Sequence, residues 1–214
     1  MHTVITGANR GIGAALAAHY KARDAKVTGT SRSGGELMCL DVTRPESHSA
    51  MAAKLGGAPI DLLICNAGVF LDKGHALEAG YDAEIWAETY ATNVTGVFLT
   101  VQSLLANLQA AQGAKIAIVS SLMASQSRAP GGSYIYRSSK AAALNLGRNL
   151  AGDLRGKGIA VGIYHPGWVR TDMGGGAADI SVDQAAAGLS ERFDALSLQT
   201  TGCFETWDGQ TLPF

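Results

Sequence analysis

The stretch that decides the fold is Thr6-Gly7-Ala8-Asn9-Arg10-Gly11-Ile12-Gly13. A short apolar run, Thr3-Val4-Ile5-Thr6, precedes it and reads as a strand. After it, Ile12 to about Arg23 carries Ala14, Ala15, Leu16, Ala18 and Tyr20 as the packing residues of a helix. A glycine-rich turn between a first strand and a first helix lets backbone approach a pyrophosphate closely. The helix N-terminus adds free N–H donors and the positive end of its dipole. Spaced glycines alone mark only a tight turn; the strand before and the helix after point to a dinucleotide. Gly7, Asn9, Arg10, Gly11, Ile12 and Gly13 are thus the first candidate cofactor contacts.

Outward from this turn, strand and helix alternate. Strands are predicted at Lys26 to Thr30, Leu37 to Leu40, Ile60 to Cys65, Ala114 to Val119 and Ile159 to Tyr164, with a last short one at Gly202 to Glu205. Helices are predicted from about Arg44 to Leu55, with Thr43 as cap and Pro45 in the first turn, and from about Asp82 to Gln112, Ser133 to Gly156 and Val182 to Leu196. Continuous apolar runs such as Leu62-Leu63-Ile64 suit strands buried on both faces of a parallel sheet. The pattern predicts an α/β, Rossmann-like, doubly wound parallel sheet of about seven strands with helices on both faces. Ligands in such sheets bind at the carboxyl ends of the strands, near the switch in strand order.

The bulk composition excludes several classes. At 214 residues the chain suits a single domain spanning 1–214. Lys plus Arg number 17 against 18 Asp plus Glu, with no basic stripe, so nothing points to nucleic acid. Only 16% of residues are charged and 27 are Gly, which fits close helix–sheet packing and buried subunit faces, or equally a compositional bias. Cys39, Cys65 and Cys203 are odd in number and far apart; they read as buried free thiols, neither a disulfide framework nor a metal site. No run reaches the ~18 apolar residues of a membrane span. A strand starting at His2 leaves no room for a signal peptide, so the expected location is the cytoplasm.

Further motifs stand in order along the chain. Asp41-Val42 follows the third strand, Asn66-Ala67-Gly68 the fourth, and Pro166-Gly167 the sixth, with Val169 and Thr171 just beyond. Asn93 lies in the long helical region, and Tyr136-Arg137-Ser138-Ser139-Lys140 opens another. Together with a G-x-x-x-G-x-G first turn, this set resembles the short-chain dehydrogenase/reductase family over nearly the whole chain. Gly131 to Arg137, His165 to Met173 and Trp207 to Phe214 are most similar to its C-factor and sniffer-like branch. The resemblance implies a nicotinamide dinucleotide held by the first turn, by Asp41 and Val42 near adenine, by Asn66, Ala67 and Gly68, and by Pro166, Gly167, Val169 and Thr171 near nicotinamide.

Cofactor choice turns on the end of the second strand. NAD sites usually place an Asp or Glu there for the ribose hydroxyls. Thr30-Ser31-Arg32 has none. Arg32 suits a 2′-phosphate, with Ser31 beside it and Arg10 able to approach the same anion, so NADP(H) is expected in preference to NAD(H). The bland reading takes both arginines as surface charges.

For the chemistry, Tyr136 and Lys140 are four apart and share a helix face. A phenol of ordinary pKa near ~10 is a poor proton donor–acceptor at neutral pH, and a neighbouring ammonium lowers that value. The resemblance makes Tyr136 the acid/base, gives Lys140 the nicotinamide ribose, and gives Asn93 a water in a proton relay. The family serine commonly stands 13 residues before the tyrosine, which here is Met123; Ser121, 15 before, aligns from the strand side, with Ser120 and Ser125 as alternatives. His165 reads as structural or as a pocket wall. The glycines at 174–176 suit the hinge of a short, mobile substrate lid. The expected partners are a small carbonyl or alcohol substrate and further copies of the chain in a homodimer or homotetramer. An epimerase or dehydratase would carry a large C-terminal substrate domain absent here. A dinucleotide-binding signalling protein with little turnover is the main alternative, against which the complete Ser/Tyr/Lys set argues.

Overall fold

A computed structural model describes all residues, 1–214. Its strands are β1 (His2–Ile5), β2 (Lys26–Ser31), β3 (Met38–Cys39), β4 (Leu62–Cys65), β5 (Lys115–Val119), β6 (Ala160–His165) and β7 (Phe204–Thr206). They form one sheet in the order β3-β2-β1-β4-β5-β6-β7, every pairing parallel. The order reverses between β1 and β4, whose registers match Val4 to Leu63 and Ile5 to Ile64. The turns leaving these two strands diverge there and open the crevice that such sheets use for ligands.

Alternating side chains send the sheet's apolar residues to both faces. One face gathers Val4, Leu63, Ile116, Ile118, Val161 and Ile163 under α2 (Pro45–Leu55), α4 (Gly96–Ser103) and α6 (Tyr134–Arg155). The other gathers Ile5, Leu62, Ile64, Val119 and Tyr164 under Leu16 and Tyr20 of α1 (Gly11–Lys21) and Leu189 and Phe193 of α7 (Val182–Ala195). No helix is long and apolar enough to cross a membrane.

Four expectations are corrected. The helix expected from Asp82 to Gln112 is broken into α3 (Ala83–Tyr90), a π-helical stretch Ala91–Thr95, α4, and α5 (Leu105–Ala110). Asn93 therefore sits in a widened turn, and a Cβ on Gly96 just after it would stand only 2.9 Å from the Val42 carbonyl. Thr43 does not cap α2: its N–H and hydroxyl both donate to Asp41 Oδ1, and Arg44 precedes the helix without a side-chain cap. Cys39 is exposed on the two-residue edge strand β3; Cys65 is buried, Cys203 half-buried, and all three are free. The last strand lies two residues further on than Gly202 because Phe204 enters the core beside Ile163.

Candidate active site

The turn after β1 is shaped by its glycines. Gly7 (φ +66°) and Gly11 (φ +54°) adopt left-handed backbone that side chains disfavour. A Cβ on Gly13 would collide with Gly7 O and stand 2.5 Å from Asn66 Nδ2. That amide donates to Thr6 O and Gly7 O, both at 3.0 Å, while Thr6 Oγ1 accepts from the N–H groups of Asn66 and Ala67, also at 3.0 Å. Asn66 thus points inward and clamps the two turns of the crevice together, with Ala67 against Gly7. Arg10 precedes α1 with no side-chain cap, so the first-turn amides, Gly11, Ile12 and Gly13 among them, face the crevice without a capping side chain.

At the ends of β2 and β3, the residues expected near adenine have partners within the chain. Arg32 is exposed just past β2, and no carboxylate stands at the end of that strand. Ser31 Oγ donates to Gly34 O at 3.1 Å and so shapes the turn. Burial opposes ionisation of Asp41, but Thr43's two hydrogen bonds, with Arg32 and Arg44 nearby, hold its carboxyl below the usual range. Val42 is buried against Gly96. Arg10 pairs with Asp172 on the loop after β6, both side chains being largely exposed. Asn9 is exposed beside it. The uncapped amides and the glycine cradle fit a dinucleotide.

At the chemical end, α6 buries Tyr136 and Lys140 one turn apart. Lys140 Nζ donates to Val119 O at 3.0 Å and lies 5.6 Å from the centre of the Tyr136 ring. Burial lowers the Lys140 ammonium to about 8. Burial pushes the Tyr136 phenol up to about 12; Ser121, as a hydrogen-bond partner, works against this, and the charge of Asp72 adds to it. The expected lowering of the phenol by the lysine is outweighed here: desolvation dominates, and the ammonium is itself buried and aimed at Val119.

The three serines separate. Ser121 Oγ accepts from Met123 N–H and stands beside the phenol as its hydrogen-bond partner. Ser120 Oγ donates to Lys140 O at 3.1 Å, and Ser125 pairs with Ser127 at 2.8 Å. Asn93, buried, accepts from Val69 N–H and donates to Val69 O (2.9 Å each) and to Ser139 Oγ (3.0 Å). Both its amide hydrogens are engaged, and the side chain fixes the turn after β4 to α6. Gly68 lies in that turn, 3.4 Å from Lys140 Nζ measured from where a Cβ would sit.

The loop after β6 packs on the cofactor turn. Thr171 Cγ2 comes within 3.4 Å of a Cβ position on Gly11, Val169 is buried, and Thr171 Oγ1 accepts from Gly174 N–H at 3.0 Å. Trp168 Nε1 donates to Gly174 O, and Lys73 Nζ to Met173 O. These bonds hold the loop at Met173 and Gly174; Gly174 is packed against Val169 O, while Gly176 meets nothing within 4 Å of its Cβ position. Pro166 and Gly167 (φ +87°) turn the chain toward this loop. His165 is largely buried, its Nδ1 without a partner, and burial lowers it to about 4. It is a neutral wall, not an acid.

Two site residues escape sequence reasoning. Phe70 stacks on Tyr136 with ring centres 4.1 Å apart, and Asp72, fully buried, accepts from the N–H groups of Ile135 and Tyr136. Neither carries a local signal in Phe70-Leu71-Asp72-Lys73.

With this geometry in view, the comparisons with known proteins agree. The family described as short chain dehydrogenase matches residues 1–179. The chain is 37% identical over 181 residues to a 1-hydroxy-2-glutathionyl-2-methyl-3-butene dehydrogenase of Rhodococcus sp. (strain AD45), covering 81% of this chain and 77% of that protein. It is 34% identical over 167 residues to the C-signal of Myxococcus xanthus, covering 77% and 99%. An NADPH-bound carbonyl reductase from chicken fatty liver superposes with a TM-score of 0.91 at 30% identity, covering 100% and 98%. The protein belongs to the short-chain dehydrogenase/reductase family and is an NAD(P)-dependent oxidoreductase, close to the C-factor and sniffer-like branch.

Proposed function

We propose that this protein is an NADP(H)-dependent carbonyl reductase, interconverting a small carbonyl compound and its alcohol with Tyr136 as the general acid/base. The observation that carries the reading is the buried grouping of the Tyr136 phenol, its partner Ser121 hydroxyl and the Lys140 ammonium at the carboxyl end of β5. A bound nicotinamide supplies or accepts the hydride.

The chain's own residues do the rest. Ser121 donates a hydrogen bond to the substrate oxygen as negative charge develops on it. Tyr136 gives that oxygen its proton in reduction and removes it in oxidation. A phenol held high by burial is protonated at neutral pH, as an acid for reduction must be. Lys140, on the same helix face, would hold the ribose of a bound cofactor with its remaining N–H groups, and its charge, 5.6 Å from the ring centre, favours phenolate in oxidation. Asn66 keeps the two turns of the crevice in register, and Asn93 holds the turn after β4 to α6. Phe70 covers one face of the phenol and excludes water from it.

The preference for NADP(H) rests on Arg32 at the end of β2, where Thr30-Ser31-Arg32 offers no carboxylate for the ribose hydroxyls. Arg10 is a second cation for the 2′-phosphate; its exposed pairing with Asp172 is weak enough to be exchanged for a phosphate. The similarity to C-signal favours one other reading, a dinucleotide-binding signalling protein with little turnover. Oxidation of NADPH against a panel of aldehydes and ketones separates them: turnover with at least one carbonyl supports the reductase. Tight NADPH binding with no turnover across the panel overturns it.

A further inference from the structure

α6 is unusual in how it begins. The three residues before it, Gly131 (φ +87°), Gly132 (φ +71°) and Ser133 (φ +46°), are all left-handed, and Ser133 makes no side-chain cap. The helix start is thus not fixed locally, although a serine stands at the usual capping place. The cap comes from 61 residues upstream: Asp72 Oδ2 accepts from Ile135 N–H at 2.9 Å and Oδ1 from Tyr136 N–H at 3.2 Å. These are the second and third helical residues, those a capping side chain normally serves. Asp72 is 0% exposed and takes part in none of the three ion pairs. A buried carboxylate without a cation is costly unless hydrogen bonds and a helix dipole compensate it. Here they do, and one of the two amides belongs to Tyr136 itself.

We propose that Asp72 is a positioning residue for the reaction: its buried carboxylate sets where α6 starts and so where the Tyr136 phenol stands, and keeps a fixed negative charge close to it. This rests on Tyr136 being the acid/base. The segment Gly68–Lys73 works as one strap. Val69 is held to Asn93, Phe70 stacks on the phenol, Asp72 holds the helix start, and Lys73 ties the lid at Met173. The charged and titratable groups facing the phenol are Lys140 on its own helix and Asp72 on the strap, with the Ser121 hydroxyl from the end of β5. Tyr81 and Tyr134 lie on the outer side of Asp72. Asp72's charge disfavours phenolate; removing it makes the phenol more acidic.

The test is Asp72→Asn, which keeps the shape, removes the charge and leaves one helix amide facing an N–H group. NADPH affinity stays within about twofold, because the strap's carboxylate does not touch the cofactor turn. Turnover in reduction falls by about tenfold to a hundredfold as the phenol is displaced. The alkaline limb of the kcat profile moves to lower pH by roughly half a unit or more, since the proton donor is lost sooner. A kcat that falls with the limb unmoved shows a merely structural role and overturns the proposal. Amide exchange in the unmutated protein tests the cap without turnover. Slow exchange of the Ile135 and Tyr136 N–H groups relative to Tyr134 supports it, and fast exchange at both overturns it, whether or not the variant folds. If exchange is slow but Tyr136→Phe leaves turnover intact, the acid/base reading fails while the cap stands.

Discussion

Replacing Gly13 by alanine tests how the glycine turn is built. The new methyl would strike the Gly7 carbonyl and lie 2.5 Å from Asn66 Nδ2. Gly7 cannot simply retreat, because its own Cβ position is already 3.1 Å from Ala67 Cα. Overpacking of this kind costs about 1–3 kcal/mol. Losing one or both Asn66 hydrogen bonds adds about 1 kcal/mol each. Alanine's better helix propensity returns about 1 kcal/mol. The net loss is about 1–4 kcal/mol, which for a chain of this size lowers Tm by roughly 2–4 °C per kcal/mol. Displacing even one charge-assisted N–H···phosphate bond weakens NADPH binding by about tenfold. Thermal unfolding followed by circular dichroism and a fluorescence titration with NADPH measure both. Gly152→Ala is the control: Gly152 is exposed on α6 with nothing within 4 Å of its Cβ position, so the same substitution there raises Tm slightly. If Gly13→Ala keeps both the Tm and the NADPH affinity of the parent, the account of the crevice is wrong.

Other outcomes follow from the same structure. Arg32→Ala removes most of the preference for NADPH, about tenfold or more in relative affinity; equal dissociation constants for NADPH and NADH in the unmutated protein refute the cofactor assignment. Ser121→Ala lowers kcat by about 10²–10³-fold with little change in NADPH affinity, whereas Ser125→Ala, whose hydroxyl faces Ser127, does not; the reverse result moves the donor to the loop. Burial holds His165 at about 4, below its unfolded value of 6.5. The unfolded chain therefore takes up a proton that the folded one refuses, and stability is lost as pH falls from 6.5 through 4. His165→Asn flattens that loss in urea unfolding at pH 7 and pH 4.5, by up to about 3 kcal/mol; parallel losses in both proteins would exclude His165 as the cause.

The sheet, its parallel pairing and the motif residues were legible because their signals are local. An apolar run buried on both faces, a glycine that must be left-handed and a Tyr–Lys pair one helical turn apart are each written in a few neighbouring residues. What escaped reading is set by distant partners. Asp72 looks like a surface acid in Leu71-Asp72-Lys73 and becomes a helix cap only when α6 is brought over it. The partners of the Asn66 and Asn93 side-chain amides, Gly7 O for one and Val69 O for the other, are likewise set by segments far apart in the chain. The lysine was expected to lower the phenol, yet burial of both groups wins over a charge aimed elsewhere. The widened turn at Asn93 lies beside the close packing of Gly96 on Val42, a contact between segments far apart in the chain.

The central claim is that Tyr136 moves the proton. Tyr136→Phe keeps the ring stacked on Phe70 and removes only the hydroxyl. On a carbonyl substrate verified with the parent enzyme, the account predicts unchanged NADPH affinity and a fall in kcat of at least about 10²–10⁴-fold. Full turnover by Tyr136→Phe on that substrate would contradict it.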